Sequence, residues 1–246
     1  MLNRRNWLRQ SVLATAGAAL LAPSGLKALN DRQASIPEQL ATPGIDEAYW
    51  EMVKSQFTFA PGLTYFNNGS LGACPNHVIQ ATNEFRKTLD GFPSKYMWGG
   101  WDDEKEALRE KVAKNFSISP ETIALIHNTR NLPELLGLGA ALDFRALIGQ
   151  ERIEDRIFEL KHYFRELLAK DDRFVLKTPE ADGLSAGIQT VEVVGKKAGK
   201  VRSNLTDNHG IDCRPMSAHD INGVRISLAI YCTKADIKRL VMALAG

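Results

Sequence analysis

The sequence predicts an α/β chain whose last hundred or so residues form a compact α+β domain, and three observations carry that expectation. Of its 246 residues 44% are hydrophobic and 24% charged, an ordinary globular balance with apolar material for one sizeable core or two small ones. Segments with apolar positions three to four residues apart recur between Asp46 and Ala169. From Phe174 onward, short β-branched runs alternate with helical ones. No internal repeat or low-complexity tract is visible.

The start has the layout of an export signal. Arg4, Arg5 and Arg9 precede an uncharged, Ala- and Leu-rich run from Gln10 to Ser24, followed by Lys27 and Ala28. The adjacent Arg4-Arg5 pair resembles a twin-arginine signal, with a general secretory signal as the other reading, and cleavage is expected between Ala22 and Ala28. The run falls short of the ~20 apolar residues of a spanning helix, and it contains Gly17 and Pro23. A periplasmic or otherwise exported protein with no membrane contact after cleavage is therefore expected. Removing residues 1–28 takes away Arg4, Arg5, Arg9 and Lys27 and no acid, leaving 27 basic against 29 acidic side chains. No basic stripe survives to neutralise a phosphate backbone, so nucleic acid is not an expected partner.

The elements follow in order. Residues 29–45, with Pro37, Pro43 and Gly44, read as a linker. Tyr49, Trp50, Val53 and Phe57 predict a short helix over Asp46–Phe57, and Leu63–Phe66 a short strand running into the small, polar loop Asn67–Gly72. Pro75 opens a helix with Val78, Ile79, Thr82 and Phe85 on one side. After an aromatic, glycine-bearing loop from Gly91 to Trp101, Asp102 is read as the cap of a helix carrying Leu108, Val112 and Phe116, stopped by Ser117–Pro120. Thr122–Ile126 is read as a compact buried strand, followed by a helix over Glu134–Leu147, a break at Gly149, and a helix to Ala169. That second helix has Ile153, Ile157, Leu160, Phe164 and Leu168 on one face. The C-terminal part is expected as strands at Phe174–Lys177, Gly187–Val194, Ile211–Arg214 and Gly223–Ile230, a helix near Val201–Asn208, and a last helix opened by Thr233–Asp236, a capping box with Asp for Glu.

Cys74, Cys213 and Cys232 allow at most one internal disulfide and fit no C-x-x-C motif. His209, Cys213, His219, Asp220 and Cys232 are ligand-competent residue types, but their spacings match no zinc signature, so no metal site is expected.

Several segments, taken in order, resemble the class V aminotransferase family of pyridoxal-phosphate enzymes, in particular members similar to isopenicillin N epimerase. They are Leu63–Gly72, Pro93–Trp98, Ile123–Thr129, Gly139–Ile153, His209–Ile211 with Arg214-Pro215, and above all Asp220-Ile221-Asn222-Gly223-Val224-Arg225-Ile226-Ser227 through Tyr231. The resemblance covers nearly all of residues 46–246, but only the two ends of such an enzyme. It implies a remnant of the fold, with residues 46–129 as its N-terminal segment and 130–246 as its small C-terminal domain, spliced near Thr129. The large central domain carries the family's Schiff-base lysine, the aspartate on the pyridinium nitrogen and the ring stacked on the cofactor, and no segment here matches it. Lys196, Lys197 and Lys200 are expected in a solvated loop.

The resemblance makes Arg225 the holder of a substrate carboxylate, a role that suits a guanidinium fork; a surface ion pair is the plain alternative. It makes Asn68, Gly69 and Ser70 a loop over the substrate, where an ordinary turn would serve as well. Thr129 is either a contact to the cofactor phosphate or a helix-start residue. Tyr96, Trp98 and Trp101 either line an entrance or pack against the next helix. The resulting expectation is an exported protein, pyridoxal-phosphate-dependent by ancestry and catalytically incomplete, without covalent hold on the cofactor. Its expected partners are an amino-acid substrate, a second copy or a full-length relative. The alternatives are a noncatalytic docking body and a deletion product with no selected role.

Overall fold

A computed structural model describes residues 38–41, 44, 46–97, 99–125, 132–181, 183–218 and 221–246. The expected leader, residues 1–28, and most of the linker lie outside them. The described residues hold eight α-helices and two sheets, a mixed α/β architecture. None of these helices is long and apolar enough to cross a membrane.

Helix α1 (Glu47–Lys54) starts where Asp46 accepts a hydrogen bond from the Tyr49 N–H at 2.9 Å, leaving Tyr49, Trp50 and Val53 to bury. Strand β1 (Thr64–Tyr65) leads through the Asn67–Ser70 turn to α2 (Asn76–Gly91), the short α3 (Pro93–Met97) and α4 (Asp102–Phe116). Asp102 is the first residue of α4 and not its cap; Trp101 holds the cap position. Ser117, in the left-handed region at φ 54°, ends that helix.

Two apolar positions differ from expectation: Ile79 and Phe116 are solvent-exposed, and α2 instead buries His77, Val78 and Ala81. The expected strand at Thr122–Ile126 also differs. Pro120–Thr122 is a 3-10 turn and Ile123–Leu125 pair with no other strand among the described residues; Ile126 lies outside them. An apolar run becomes a strand only where a neighbouring strand takes up its backbone hydrogen bonds.

Helices α5 (Leu132–Ile148) and α6 (Gln150–Leu168) follow, then β2 (Phe174–Leu176), β3 (Ile188–Val193), α7 (Ala198–His209), β4 (Ile211–Asp212), β5 (Arg214–Met216), β6 (Gly223–Ser227) and α8 (Lys234–Ala245). Lys196 and Lys197 are exposed in the loop before α7, and exposed Lys200 belongs to that helix. The capping box of α8 is complete: Thr233 Oγ1 accepts from the Asp236 N–H, and Asp236 accepts from the Thr233 N–H.

The larger sheet is antiparallel in the order β2-β3-β6-β5. The run expected as one strand, Ile211–Arg214, divides at buried Cys213: β4 pairs in parallel with β1, and β5 pairs with β6. Gly210 makes that arrangement possible. It ends α7 at φ 60°, and a Cβ there would stand 2.6 Å from the Gly62 carbonyl oxygen, a clash. Strand β1 thereby joins the C-terminal body, with the Thr64 N–H donating to Gly210 O (2.8 Å) and the Phe66 N–H to Asp212 O (2.9 Å). Just beyond it, the Ser227 N–H donates to Phe66 O at 2.8 Å, coupling β1 to the end of β6.

The main core lies between the larger sheet and the helices. Val191, Val193, Val224 and Ile226 face Leu160, Phe164, Leu205, Ile237 and Leu240 there, together with Trp50 and Val53 of α1. Because side chains alternate along a strand, burying Val224 and Ile226 turns Arg225 to the opposite face.

Candidate anion-binding site

On that opposite face, the Asn67–Ser70 turn lies against β6. The Ser70 N–H closes the turn by donating to Asn67 O at 2.9 Å. Half-buried Arg225 donates from Nη2 to Ser70 Oγ at 2.6 Å and to Asn67 Oδ1 at 3.1 Å. Gly69 is needed for this approach: a Cβ there would stand 2.8 Å from Ser227 Oγ, 3.1 Å from Ile188 Cδ1 and 3.5 Å from Arg225 Cζ. Asn68 turns the other way and accepts from the Tyr231 hydroxyl at 2.9 Å.

That tyrosine belongs to an aromatic group with Phe57, Phe59 and Tyr65, at ring separations of 4.9, 5.2 and 6.4 Å. Burial pushes the Tyr231 phenol far above its usual range. The Tyr65 phenol is raised too, first by burial and then by the Asp212 carboxylate. Both hydroxyls therefore stay protonated at neutral pH and act as donors, Tyr65 to Leu71 O at 2.7 Å.

The electrostatics of the cluster are one-sided. Arg225 has no ion-pair partner among the described residues, and its Nε is buried without a hydrogen bond, as is Ser227 Oγ. Arg214 stands directly opposite Arg225 in the β5–β6 ladder, and its Nη1 lies 3.5 Å from the same Ser70 Oγ. Asp212, which borders the Asn67 turn, is held by Arg202 at 3.7 Å and by the Asn67 amide at 3.4 Å. A guanidinium with an unbonded N–H is chemically suited to pair with a carboxylate.

The structure thus brings Arg225, Gly69 and Ser70 together, with Asn68 in the same turn but engaged elsewhere. Thr129 lies outside the described residues. Trp101 is only 1% exposed and packs on Phe85 (5.6 Å) and Tyr96 (4.4 Å), so it is a packing residue and not part of an entrance; Trp98 lies outside the described residues. All three cysteines are free thiols, Cys74 exposed and the other two buried; burial pushes Cys213 and Cys232 up to about 12. The sequence alone marks no role in the site for Asn67 or Arg214. Asn67 sits in the same turn as its expected neighbours, and the register that opposes Arg214 to Arg225 becomes known only once the strands pair.

A family model for class V aminotransferases matches residues 109–240, more than half of the chain. The chain belongs to the class V aminotransferase family. Both arginines of the cluster fall within the matched stretch, and the Asn67–Ser70 turn precedes it. Isopenicillin N epimerase from Amycolatopsis lactamdurans is 31% identical over 117 residues, which make up 47% of this chain and 29% of that enzyme. The alignment thus spans less than a third of that relative's length. Among solved structures, the cysteine desulfurase CsdA (S-sulfonic acid) from Escherichia coli is 21% identical over 52% of this chain and 32% of its own, with a TM-score of 0.42.

Membership of this class V family suggests pyridoxal phosphate. The cluster offers charged and neutral donors to an anion. Among the described residues no lysine hydrogen-bonds to Asn67, Asn68, Ser70, Arg214 or Arg225. Buried Lys161 serves another part of the molecule, where its Nζ donates to Ser185 O at 3.3 Å and lies 4.3 Å from the Phe158 ring centroid.

Proposed function

We propose that this chain is an exported class V aminotransferase relative that retains the carboxylate-holding side of an amino-acid site and lacks the amine needed to anchor pyridoxal phosphate covalently. It acts as a binding body for amino acids, alone or in association with a second copy or a longer relative. Arg225 carries this reading: a half-buried guanidinium with a buried, unbonded Nε, no acidic partner among the described residues, and a turn of small polar residues packed against it. A bound carboxylate would give the guanidinium an oppositely charged acceptor in place of neutral ones. The leader-like residues 1–28 support export, and the absent lysine segment supports catalytic incompleteness.

Two measurements test it. Titration with pyridoxal phosphate followed by borohydride reduction and peptide mapping is expected to find no lysine of the chain modified stoichiometrically. Calorimetry with L-alanine is expected to show binding that weakens about tenfold or more in Arg225→Ala, the share of one charge-assisted pair. A mapped, stoichiometric ε-amino adduct would return the chain to the covalent enzymes of its family, and alanine binding indifferent to Arg225 would remove the carboxylate site.

A further inference from the structure

We infer that the cluster takes a ligand with two acidic groups, a dicarboxylic amino acid or small dicarboxylate, with Arg225 on one carboxylate and Arg214 on the other. The inference rests on the carboxylate-binding reading of Arg225 and names the substrate class of that site. Arg214 and Arg225 are directly opposed in the β5–β6 ladder, so both side chains leave the sheet on the same face. They converge on one atom, Ser70 Oγ, at 3.5 Å and 2.6 Å.

Like charges directly opposed on a ladder destabilise the pair unless a counter-charge joins them. Here none does: among the described residues neither arginine has an ion-pair partner, and Asp212 is taken up by Arg202 and Asn67. The shared hydroxyl accepts hydrogen bonds but carries no charge. One carboxylate would neutralise one guanidinium and leave the other uncompensated, whereas a dianion neutralises both. Access differs along the cluster. Arg225 is half-buried beside the turn, while Arg214 and Ser70 are exposed, so the distal acid is held at the rim. Pro215, which lacks an N–H, is tolerated because β5 is an edge strand.

L-Glutamate and L-glutamine have the same length and differ by one charge, so calorimetric titration of the full chain with each separates the two arginines. The unmodified protein is expected to bind glutamate about tenfold more tightly than glutamine. Arg214→Gln should erase that preference by bringing glutamate down to the affinity of glutamine. Arg214→Lys should restore part of it, which a merely structural role would not do. Arg225→Gln should abolish binding of both. Thermal unfolding checks that each variant is folded. Equal affinity of the unmodified protein for both amino acids overturns the inference and spares the Arg225 reading, provided Arg225→Gln still abolishes them. An equal loss for both amino acids in Arg214→Gln also overturns it, because both arginines would then serve one carboxylate. Binding of neither amino acid to the unmodified protein overturns both readings.

Discussion

The described residues contain two unequal interiors. The core shared by α1, β1, α6–α8 and the larger sheet gathers 28 buried hydrophobic residues. The layer of α2, α4 and the first part of α5 rests on two clusters of three, Trp101 with Leu108 and Leu136, and Val78 with Ala81 and Ala140. Around that thinner layer Ile79, Phe116, Ile118 and Leu138 stay exposed. Since apolar burial is the main term holding a fold together, the two regions should differ in resistance to local opening. The arginine cluster belongs to the sturdier one: β6 supplies Arg225, and the segment that meets it is fixed by β1 on β4 and by Phe66 bonded to Ser227.

The strongest way to break this comparison is to remove a large ring from each interior. Phe164 is fully buried in the main core and Trp101 is 1% exposed in the thin layer. Truncating either to alanine has a nominal cost of about 3–5 kcal/mol. Phe164→Ala should lower the global unfolding free energy by that full amount. Trp101→Ala should spend its effect locally, speeding amide exchange through α2 and α4 while β3 and β6 stay protected. Loss of protection across the sheet in Trp101→Ala would show that the two interiors open as one.

A smaller effect is expected at Arg156, which joins α1, α6 and the start of α8. Its fully buried guanidinium donates to Glu47 (2.6 Å), Glu159 (2.7 Å) and Cys232 O (3.2 Å), and it lies 5.1 Å from the Trp50 ring centroid. Removing one partner of a buried pair costs most when the other charge stays buried. Here both acids are about 40% exposed and Lys234 remains beside them, so Arg156→Met should cost only about 1–3 kcal/mol, mostly lost hydrogen bonds. Burial raises the Glu47 and Glu159 carboxyls, but hydrogen bonds from Arg156 and from Lys234 outweigh it and hold both below the usual range. Their contribution is present above the unfolded carboxyl pKa, about 4.3, and is lost as pH falls through the lower folded values. Chemical denaturation should therefore show a shallower acid loss in Arg156→Met, and parallel pH profiles would refute the coupling.

The same division marks how much could be read from the sequence. α1, α6 and α8 are legible because their periodic apolar faces, and in α1 and α8 their side-chain caps, are local features. Non-local features are not. Whether Ile123–Leu125 becomes a strand depends on a partner distant in sequence, and the division at Cys213 depends on which strand each half meets. Arg156 and Lys161 look like the polar face of α6 because charged residues are rarely fully buried, yet both are. In the site, the turn formers Asn68, Gly69 and Ser70 mark a place where the chain bends. That the bend falls against Arg225, and that Arg214 shares its acceptor, follows from strand register, which no single segment encodes.

The smallest expected effect is a pH response confined to the thin layer. His77 of α2 is buried, its ring centroid 4.8 Å from that of Phe144 and its Nε2 3.4 Å from Ala140 O, with Nδ1 unbonded. Burial lowers its pKa, more than the Ala140 carbonyl and the Asp143 charge raise it. Well above pH 7 the ring is neutral whether the chain is folded or not, so it adds no pH dependence there. As pH falls through the unfolded value, about 6.5, the unfolded chain takes up a proton that the folded one resists, and stability declines. Gln at this position places an amide near Nε2 and does not titrate. Between pH 7.5 and pH 5.5 the denaturation midpoint should therefore fall further in the unmodified protein than in His77→Gln, with the excess exchange confined to α2 and α5. An identical decline in both proteins would assign the acid sensitivity to other groups and leave the two interiors alike in their response to protons.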